Sequence, residues 1–323
     1  MSRLPEPRFL QLPAAPGHDP LQELLAGLAQ TPATVSPKFL YDALGSALFG
    51  AITELDEYYP TRTEAAIFAG HAPEMAALLR GWLPQPLTLV DLGAGDGAKA
   101  ARLFDSLQPA HYVAVDISAA YLRGALQSLQ LRFPQLRMTG VGLDFSERLA
   151  LPAGVLTGPA TVFYPGSSIG NFGPAQALRF LSQAHALSQG GALIIGADLC
   201  KPAALLEAAY DDALGVTAAF NLNLLRHLNR LVGSDFDPRQ WLHVALFNSG
   251  LSRIEMHLQA RLDLQVRWPG GGRAFAAGER VHTENSYKWQ PQAFEALLRD
   301  AGWRHVRRWT DAQSWFGVFV AQA

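Results

Sequence analysis

The sequence of 323 residues is nearly devoid of cysteine and has no long apolar run. Its single cysteine, Cys200, excludes an intrachain disulfide and any zinc site built from several cysteines, and it suits the reducing cytoplasm, where we expect this protein. Prolines interrupt the first 20 residues, which lack the apolar centre of a signal peptide, and no segment approaches the roughly 18 apolar residues of a membrane span. The sequence therefore predicts neither secretion nor membrane insertion.

A strong charge of either sign is also missing, since the formal net charge is −2 at pH 7. This balance gives no electrostatic reason to expect nucleic acid or an anionic membrane surface as a partner. We expect a small-molecule substrate and take the protein to be a monomer. Several histidines share no metal-ligand spacing, so no metal site is predicted from them: His71, His111, His185, His227 and His243.

Apolar residues make up 49% of the chain and charged residues 17%, which is typical of a protein with one large core or two smaller ones. The first 80 residues have helical spacing, but from residue 87 short apolar runs alternate with helical segments, as in a parallel sheet. The runs predicted as strands are 87–93, 111–118, 136–145, 160–168 and 191–199. The predicted fold is therefore α/β, with a doubly wound, Rossmann-like sheet.

This alternation lapses after residue 200 and resumes only near the end of the chain. A helical stretch over 203–231 precedes two or three antiparallel strands over 241–268, and the chain closes with one helix and two strands. These patterns predict two domains and a poorly ordered start. The boundaries are 62–200 and 289–323 for a cofactor-binding domain, 20–61 and 201–288 for a substrate-binding lobe, and 1–19 for the poorly ordered segment.

The glycine-rich segment "VDLGAGDGAK" joins the first predicted strand to a helix. Its glycines permit a tight turn and the following helix start offers free N–H groups, while Asp116 at the end of the next strand can accept hydrogen bonds from both ribose hydroxyls of an adenosine. Alanine occupies position 98, where the nicotinamide-dinucleotide motif has its third glycine. The pattern Asp91-x-Gly93-x-Gly95-x-Gly97 instead resembles motif I of the class I S-adenosylmethionine-dependent methyltransferases. The last two predicted strands resemble the antiparallel closing hairpin of that fold.

Four further segments carry a more specific resemblance. "PKFLYDALGSALFGAITELDEYYPTRTE", "YPGSSIGNFGP", "IEMHL" and "HTENSYKW" occur in the order found in the L-histidine Nα-methyltransferases of ergothioneine biosynthesis, and the resemblance covers residues 35 to 323. It implies a Rossmann-like class I methyltransferase sheet with a second lobe built from N-terminal helices and an α+β insertion. It also implies trimethylation of L-histidine to hercynine, with S-adenosylmethionine as methyl donor and histidine and its mono- and dimethyl forms as substrates.

The resemblance assigns the site residue by residue. In the amino-acid site, Tyr41 and Asn171 would act in catalysis, Tyr58, Asn171 and Tyr210 would donate to the carboxylate, and Glu284 and Ser286 would meet the two imidazole nitrogens. The remaining assigned residues are Phe49 and Met256 for the amino acid, and Asp91, Gly93, Gly95, Gly97, Lys99, Asp116, Asp144, Phe145 and Gly166 for the cofactor. Glu284 and Ser286 are two apart, so an extended backbone would direct both side chains to one face.

Other functions stay open at this point. The motif I loop is more acidic than the "GSGTSEK" form of the family, and a tyrosine stands between Ser286 and Lys288. A methyltransferase for another aromatic amino acid such as tryptophan is the nearest alternative, although an indole would gain little from two polar ring partners. A non-catalytic S-adenosylmethionine-binding regulator and a nicotinamide-dependent oxidoreductase are the others.

Overall fold

The computed structural model describes residues 6–12, 19–145 and 148–323. The chain divides into two compact units. The first comprises Met1–Ala14, Pro60–Cys200 and Trp289–Ala323, and the second comprises Ala15–Tyr59 and Lys201–Lys288. These bounds lie near the predicted domain limits, but which unit binds which ligand stays a prediction. Among the described residues, no helix is both long and apolar enough to cross a membrane.

The strands, in chain order, are β1 (Arg8–Gln11), β2 (Ala33–Thr34), β3 (Thr88–Leu92), β4 (His111–Asp116), β5 (Arg137–Gly142), β6 (Thr161–Tyr164), β7 (Ala192–Asp198), β8 (Trp241–Asn248), β9 (Arg253–Ala260), β10 (Leu264–Trp268), β11 (Gly271–Phe275), β12 (Arg280–Tyr287), β13 (Arg304–Thr310) and β14 (Phe316–Gln322). The α-helices are α1 (Pro20–Ala29), α2 (Ala43–Ile52), α3 (Tyr59–Trp82), α4 (Ala98–Ala101), α5 (Phe104–Leu107), α6 (Ala119–Arg132), α7 (Pro174–Ser188), α8 (Ala203–Ala208), α9 (Val216–Val232) and α10 (Pro291–Asp300). Short 3₁₀ helices cover Pro37–Leu40, Ser168–Asn171 and Pro238–Gln240.

A mostly parallel sheet forms the centre of the first unit, with the strand order β1-β5-β4-β3-β6-β7-β14-β13 among the described residues. The strands from β1 to β7 in this order pair in parallel, whereas β14 is antiparallel to both β7 and β13. The inner strands are buried along nearly their whole length, as expected for parallel strands covered on both faces. The predicted doubly wound α/β fold and its antiparallel closing hairpin are therefore confirmed.

Apolar residues from α3, α5 and α6 form one core with the sheet. Met75 and Leu79 of α3, Leu126 of α6 and Phe163 of β6 belong to this core and are nearly or completely buried. The helical segment predicted between the first two strands, "AKAARLFDSL", consists of the two short helices α4 and α5 rather than one helix. The glycine-rich segment thus opens into a helix of a single turn.

The expectation that residues 1–19 are poorly ordered does not hold for β1, which pairs in parallel with β5. Residues 1–5 and 13–18 of that segment lie outside the described residues. A side chain at Gly140 would lie 2.7 Å from the Phe9 ring, so the bare backbone of β5 leaves the space that this ring occupies. The Arg123 guanidinium lies 4.0 Å from the centroid of the same ring. Proline content alone therefore gave the wrong expectation for this strand.

The second unit contains a sheet of order β2-β12-β9-β8 and the separate hairpin β10-β11. β8, β9 and β12 are antiparallel neighbours, as the alternation over 241–268 predicted for the first two. The helical stretch predicted over 203–231 is interrupted between α8 and α9. There the Asp212 carboxylate accepts hydrogen bonds from the Val216 and Thr217 N–H groups at 2.9 and 2.7 Å and so caps the start of α9.

Candidate active site

The glycine-rich loop follows the carboxyl end of β3. Gly93, Gly95 and Gly97 have left-handed φ angles of 69°, 56° and 72°, which glycine adopts without steric cost. A side chain at Gly97 would overlap Leu129 and lie 3.1 Å from the Tyr112 hydroxyl, whereas one at Gly95 would meet no heavy atom within 4 Å. The loop therefore requires glycine at position 97 for packing and leaves open space beside the backbone at position 95.

Asp116 ends β4, the parallel neighbour of β3. One carboxylate oxygen accepts a hydrogen bond from the Gly95 N–H at 2.9 Å, and the other accepts from the Ser118 N–H at 2.8 Å. Each oxygen keeps a further lone pair, so the same carboxylate can hold the loop and accept from the hydroxyls of a sugar. The structure thus brings the two predicted parts of an adenosine site together.

Asp91 lies in β3 below the loop and is almost completely buried. Its Oδ2 accepts a 2.7 Å hydrogen bond from the Tyr112 hydroxyl, while its Oδ1 is buried without a hydrogen-bond partner. Burial raises the pKa of this carboxyl to about 7, against the lowering effect of the Tyr112 hydrogen bond and with a smaller raising effect of the Asp116 charge. Asp91 therefore supports the loop from inside the core.

Lys99 and Gly166, which the family resemblance assigns to the cofactor, both contact a third residue, Glu64. The Gly166 N–H donates to Glu64 Oε1 at 2.7 Å, and the Lys99 ammonium lies 3.2 Å from Glu64 Oε2. Glu64 is only 2% exposed, and the Lys99 ammonium of the same unit balances its charge. Sequence reasoning missed this carboxylate. Its signal was an acidic residue three and four positions before the buried Ile67 and Phe68 of α3, and thus on the apolar face of the helix.

Three more predicted residues follow the carboxyl ends of β5 and β6. Phe145, after β5, lies edge-on to Tyr164 with 6.2 Å between ring centroids, and its Cζ would be 4.0 Å from a Cβ at Gly93. Asp144 precedes Phe145 and is half-buried. Asn171 ends the 3₁₀ helix Ser168–Asn171. The structure therefore brings Phe145 beside the glycine loop.

In the second unit, four predicted aromatic residues form a cluster with a fifth that was not predicted, Phe220 of α9. Tyr41 contacts Phe49 and Phe220 edge-on, with ring centroids 5.6 and 5.5 Å apart. Tyr58 contacts Phe49 at 6.2 Å and Tyr210 at 6.0 Å, again edge-on. The cluster offers aromatic faces and phenol groups in one place.

Glu284, Ser286 and Met256 come together on the sheet of the second unit. The register between β12 and β9 shifts between His282 and Glu284, and after this shift Glu284 stands opposite Met256. Directly paired residues of antiparallel strands share a face, as do residues two apart on one strand. Glu284 is 9% exposed and Ser286 4% exposed, so the structure places a carboxylate, a hydroxyl and a thioether side by side in a nearly enclosed setting.

Lys288, which lies outside the predicted set, completes with the predicted Tyr210 the surroundings of Ser286. Its hydroxyl lies 2.7 Å from the Tyr210 hydroxyl, and the Lys288 ammonium donates to Ser286 Oγ at 2.8 Å and to the Tyr210 hydroxyl oxygen at 3.1 Å. Lys288 is 3% exposed and also lies 4.7 Å from the centre of the Tyr210 ring. The lysine of the "TENSYK" motif is thus part of the arrangement.

The other face of β9 carries a polar network in which three ligand-type side chains, Glu255, His257 and His282, come within 4.8 Å of one another. Arg253 bonds Glu255 at 2.6 Å, and His257 donates to the second oxygen of Glu255 at 3.2 Å. Burial, and then the nearby His282, lowers the pKa of His257 to about 4. Because the carboxylate is engaged by a guanidinium, we assign this network to the stability of the sheet.

The sheet order and the antiparallel closing pair are those of the class I S-adenosylmethionine-dependent methyltransferase fold. Residues 21–323 match the family described as "Histidine-specific methyltransferase, SAM-dependent", and the chain belongs to this family.

Two relatives match this chain over nearly their whole length, and a third is a longer protein. The chain is 40% identical over 314 residues to the histidine N-alpha-methyltransferase of Mycolicibacterium smegmatis, covering 93% of this chain and 94% of the relative. It is 39% identical over 321 residues to the histidine N-alpha-methyltransferase of Mycobacterium tuberculosis, covering 94% and 95%. It is also 29% identical over 282 residues to ergothioneine biosynthesis protein 1 of Neurospora crassa, covering 84% of this chain and 31% of that longer protein.

Proposed function

We propose that this protein transfers three methyl groups in succession from S-adenosylmethionine to the α-nitrogen of L-histidine and so forms hercynine, the first intermediate of ergothioneine biosynthesis. The observation that carries the proposal is the placement of Glu284 and Ser286 on one face of β12, with Met256 of β9 paired with Glu284 on the same face of the sheet. This arrangement occurs in a chain of the histidine-specific family. Hydrogen-bonding groups two residues apart on one strand suit a ring with two nitrogens.

The residues of the first unit fit the cofactor. The open backbone at Gly95 and the half-buried carboxylate of Asp116 suit a nucleoside, Phe145 offers a ring face, and Lys99 offers a cation to a carboxylate. We propose that these residues, with Gly93, Gly97, Asp144 and Gly166, hold S-adenosylmethionine, and that Asp91 supports the loop from below. The cofactor supplies a methyl group bound to a positively charged sulfur, so the protein needs no covalent nucleophile.

Recognition of the imidazole is assigned to the second unit. Glu284 would accept from one ring N–H, Ser286 would meet the other nitrogen, and the thioether of Met256 would provide a polarizable surface for the ring. This arrangement distinguishes an imidazole from an indole, which has a single ring nitrogen. The tryptophan alternative is therefore the less favoured one.

The amino-acid backbone is assigned to neutral groups. Tyr58, Asn171 and Tyr210 would donate to the carboxylate, and the Asn171 side-chain oxygen would accept from the α-amine and leave its lone pair free for attack. The α-nitrogen must lose a proton before each of the three transfers, and Tyr41 would relay that proton although a phenol is a weak base near neutral pH. Direct loss of the proton to water is the alternative route.

The aromatic cluster suits the product of each transfer. Successive methylation removes N–H groups and leaves a cation that makes few hydrogen bonds, which aromatic faces such as Phe49 and Tyr58 stabilise. Carboxylate and ring would stay anchored while the nitrogen rotates between transfers, so we expect trimethylation without release of the intermediates. We also propose a cytoplasmic monomer that acts on free amino acids, with neither nucleic acid nor membrane as partner.

Incubation with S-adenosylmethionine and an equimolar pool of free amino acids, followed by mass spectrometry, tests the proposal. We expect histidine alone to gain three methyl groups, with consumption of three cofactor molecules per product. Methylation of tryptophan in preference to histidine would support the nearest alternative, and cofactor binding without methyl consumption would support a regulatory protein. A parallel incubation without cofactor serves as the blank.

A further inference from the structure

The neighbours of Ser286 limit the hydrogen bonds that its hydroxyl can make to a substrate. A serine hydroxyl has one hydrogen to donate and two lone pairs that accept. Lys288 approaches Ser286 Oγ at 2.8 Å and, as an ammonium, can only donate. One lone pair of Ser286 is therefore used by Lys288.

The second neighbour of Ser286 is the Tyr210 hydroxyl at 2.7 Å, and this bond can run in either direction. If Ser286 donated to Tyr210, its oxygen would keep one lone pair for a substrate and would act as an acceptor. If Tyr210 donates, both lone pairs of Ser286 are filled and its only hydrogen must go to the substrate. The direction of this single bond thus decides which ring nitrogen Ser286 can bind.

We propose that Tyr210 donates to Ser286, and that Lys288 and Tyr210 are positioning residues that make Ser286 an obligate hydrogen-bond donor to the substrate ring. A phenol is a stronger acid than an aliphatic alcohol, so the phenol is the better donor and the serine oxygen the better acceptor. Lys288 reinforces this direction because it also donates to the Tyr210 oxygen, at 3.1 Å, and thereby strengthens the phenol as a donor. All three groups are at least nine-tenths buried, so water competes little for these bonds.

This inference rests on the proposed function and specifies the form of its substrate. An obligate donor at Ser286 requires a ring nitrogen with a free lone pair, and the Glu284 carboxylate requires a ring N–H. The site therefore selects the neutral imidazole, in one tautomer, and disfavours the doubly protonated imidazolium, which has no lone pair and would face the Lys288 charge. An indole fails the same requirement because its one nitrogen carries a hydrogen and no available lone pair.

The inference also changes one role carried over from the family resemblance. If the Tyr210 hydrogen is used by Ser286, it is not available to the substrate carboxylate. Recognition of the carboxylate is then left to Tyr58 and Asn171, and Tyr210 contributes to ring selection.

Calorimetric titration of L-histidine into the protein saturated with S-adenosylhomocysteine tests the inference between pH 5.5 and 7.5. The imidazole of histidine titrates near pH 6.5, so its neutral fraction falls about tenfold across this range. We expect the wild-type Kd for histidine to rise about tenfold from pH 7.5 to 5.5. In Lys288→Met, Ser286 can reverse its bond with Tyr210 and accept from an imidazolium. We expect its Kd at pH 7.5 to be roughly tenfold higher than wild type, with the pH effect reduced to threefold or less.

Two further variants keep the outcome interpretable. Tyr210→Phe frees one lone pair of Ser286 without removing Lys288, so it should also reduce the pH effect, even if Lys288→Met fails to fold. Lys38→Met removes a lysine that pairs with Glu23 in the same unit, and it should keep the wild-type pH effect. Thermal unfolding and the Kd for S-adenosylhomocysteine report whether each variant is folded.

A tenfold pH effect that persists unchanged in both Lys288→Met and Tyr210→Phe would overturn the inference, as would a wild-type Kd that does not rise on acidification. In either case wild-type methylation of histidine would still support the proposed function. Absence of both histidine binding and histidine methylation would instead refute the proposed function itself.

Discussion

Asp91 is a buried carboxyl at the base of the glycine loop, and its ionisation should control how the stability of the first unit changes with pH. In the folded protein its pKa is raised from 3.8 to about 7, chiefly by burial. An acid whose pKa is raised by folding stays protonated in the folded state while the unfolded state ionises. The contribution of protonated Asp91 to the free energy of unfolding is therefore fully present below pH 3.8 and is lost as pH rises to about 7.

The magnitude follows from the distance between the two pKa values. Each pH unit between them corresponds to 1.36 kcal/mol, so a gap of about three units lowers the free energy of unfolding by roughly 4 kcal/mol between pH 4 and pH 7. Asp91→Asn removes the titrating group and keeps an oxygen that can accept from Tyr112. Its amide nitrogen replaces the unpartnered Oδ1 and adds a cost that does not depend on pH.

Urea unfolding of wild type and Asp91→Asn at several pH values from 4 to 8 checks this prediction. We expect the free energy of unfolding of the variant, relative to wild type, to rise by up to about 4 kcal/mol as pH increases to 7 and then to level off. Asp105→Asn, an exposed carboxylate of α5 in the same unit, should follow the wild-type curve. Hydrogen exchange of the β3 amides would report the same difference if the two units unfold separately. Parallel curves for wild type and Asp91→Asn would refute the reasoning.

Further predictions concern the glycine loop, the ion pair between Lys99 and Glu64, and the contact of Glu284 with the substrate ring. Gly97→Ala places a side chain against Leu129 at a left-handed backbone position and should lower the free energy of unfolding by roughly 2–4 kcal/mol. Gly95→Ala has open space and should lower it by only about 1–2 kcal/mol. A calorimetric titration should nevertheless show weaker cofactor binding by Gly95→Ala. Glu64→Gln removes the carboxylate beside Lys99 and weakens the acceptor of the Gly166 N–H, so it should lower the free energy of unfolding in urea by roughly 1–2 kcal/mol. An unchanged free energy of unfolding would show that this contact does not stabilise the first unit. Glu284→Ala should lower kcat/KM for histidine about ten- to a hundredfold, equivalent to roughly 1.5–3 kcal/mol, and unchanged kinetics would remove its role in ring recognition.

The parts of the fold that depend on local pattern were predictable. Apolar runs specify β3 to β7, because strands that are buried on both faces of a parallel sheet need consecutive apolar residues. Helical spacing indicated the segments between them, but not the division of the first into α4 and α5. β1 was missed because its signal lies elsewhere in the chain. The space for Phe9 is created by Gly140, and neither residue indicates a strand pair alone.

The candidate site was also predictable only where it depends on local sequence pattern. The placement of Glu284 and Ser286 on one face follows from the period of two along a strand. The pairing of Glu284 with Met256 depends on a register shift that no local sequence pattern predicts. Glu64 accepts a hydrogen bond from Gly166, 102 residues away, and Lys288 donates one to Tyr210, 78 residues away. Contacts over such separations arise only when the chain has folded, so a single sequence shows the residue types and not the partners.

The most direct test of the central claim is the position of the methyl groups on the product. Tandem mass spectrometry of the product formed from histidine and S-adenosylmethionine distinguishes the nitrogens, because an α-trimethylammonium group is lost as trimethylamine while a ring methyl stays with the imidazole fragment. The proposed function predicts loss of trimethylamine and an unmethylated imidazole fragment. A methylated imidazole fragment, or a product that never exceeds one methyl group, would contradict it.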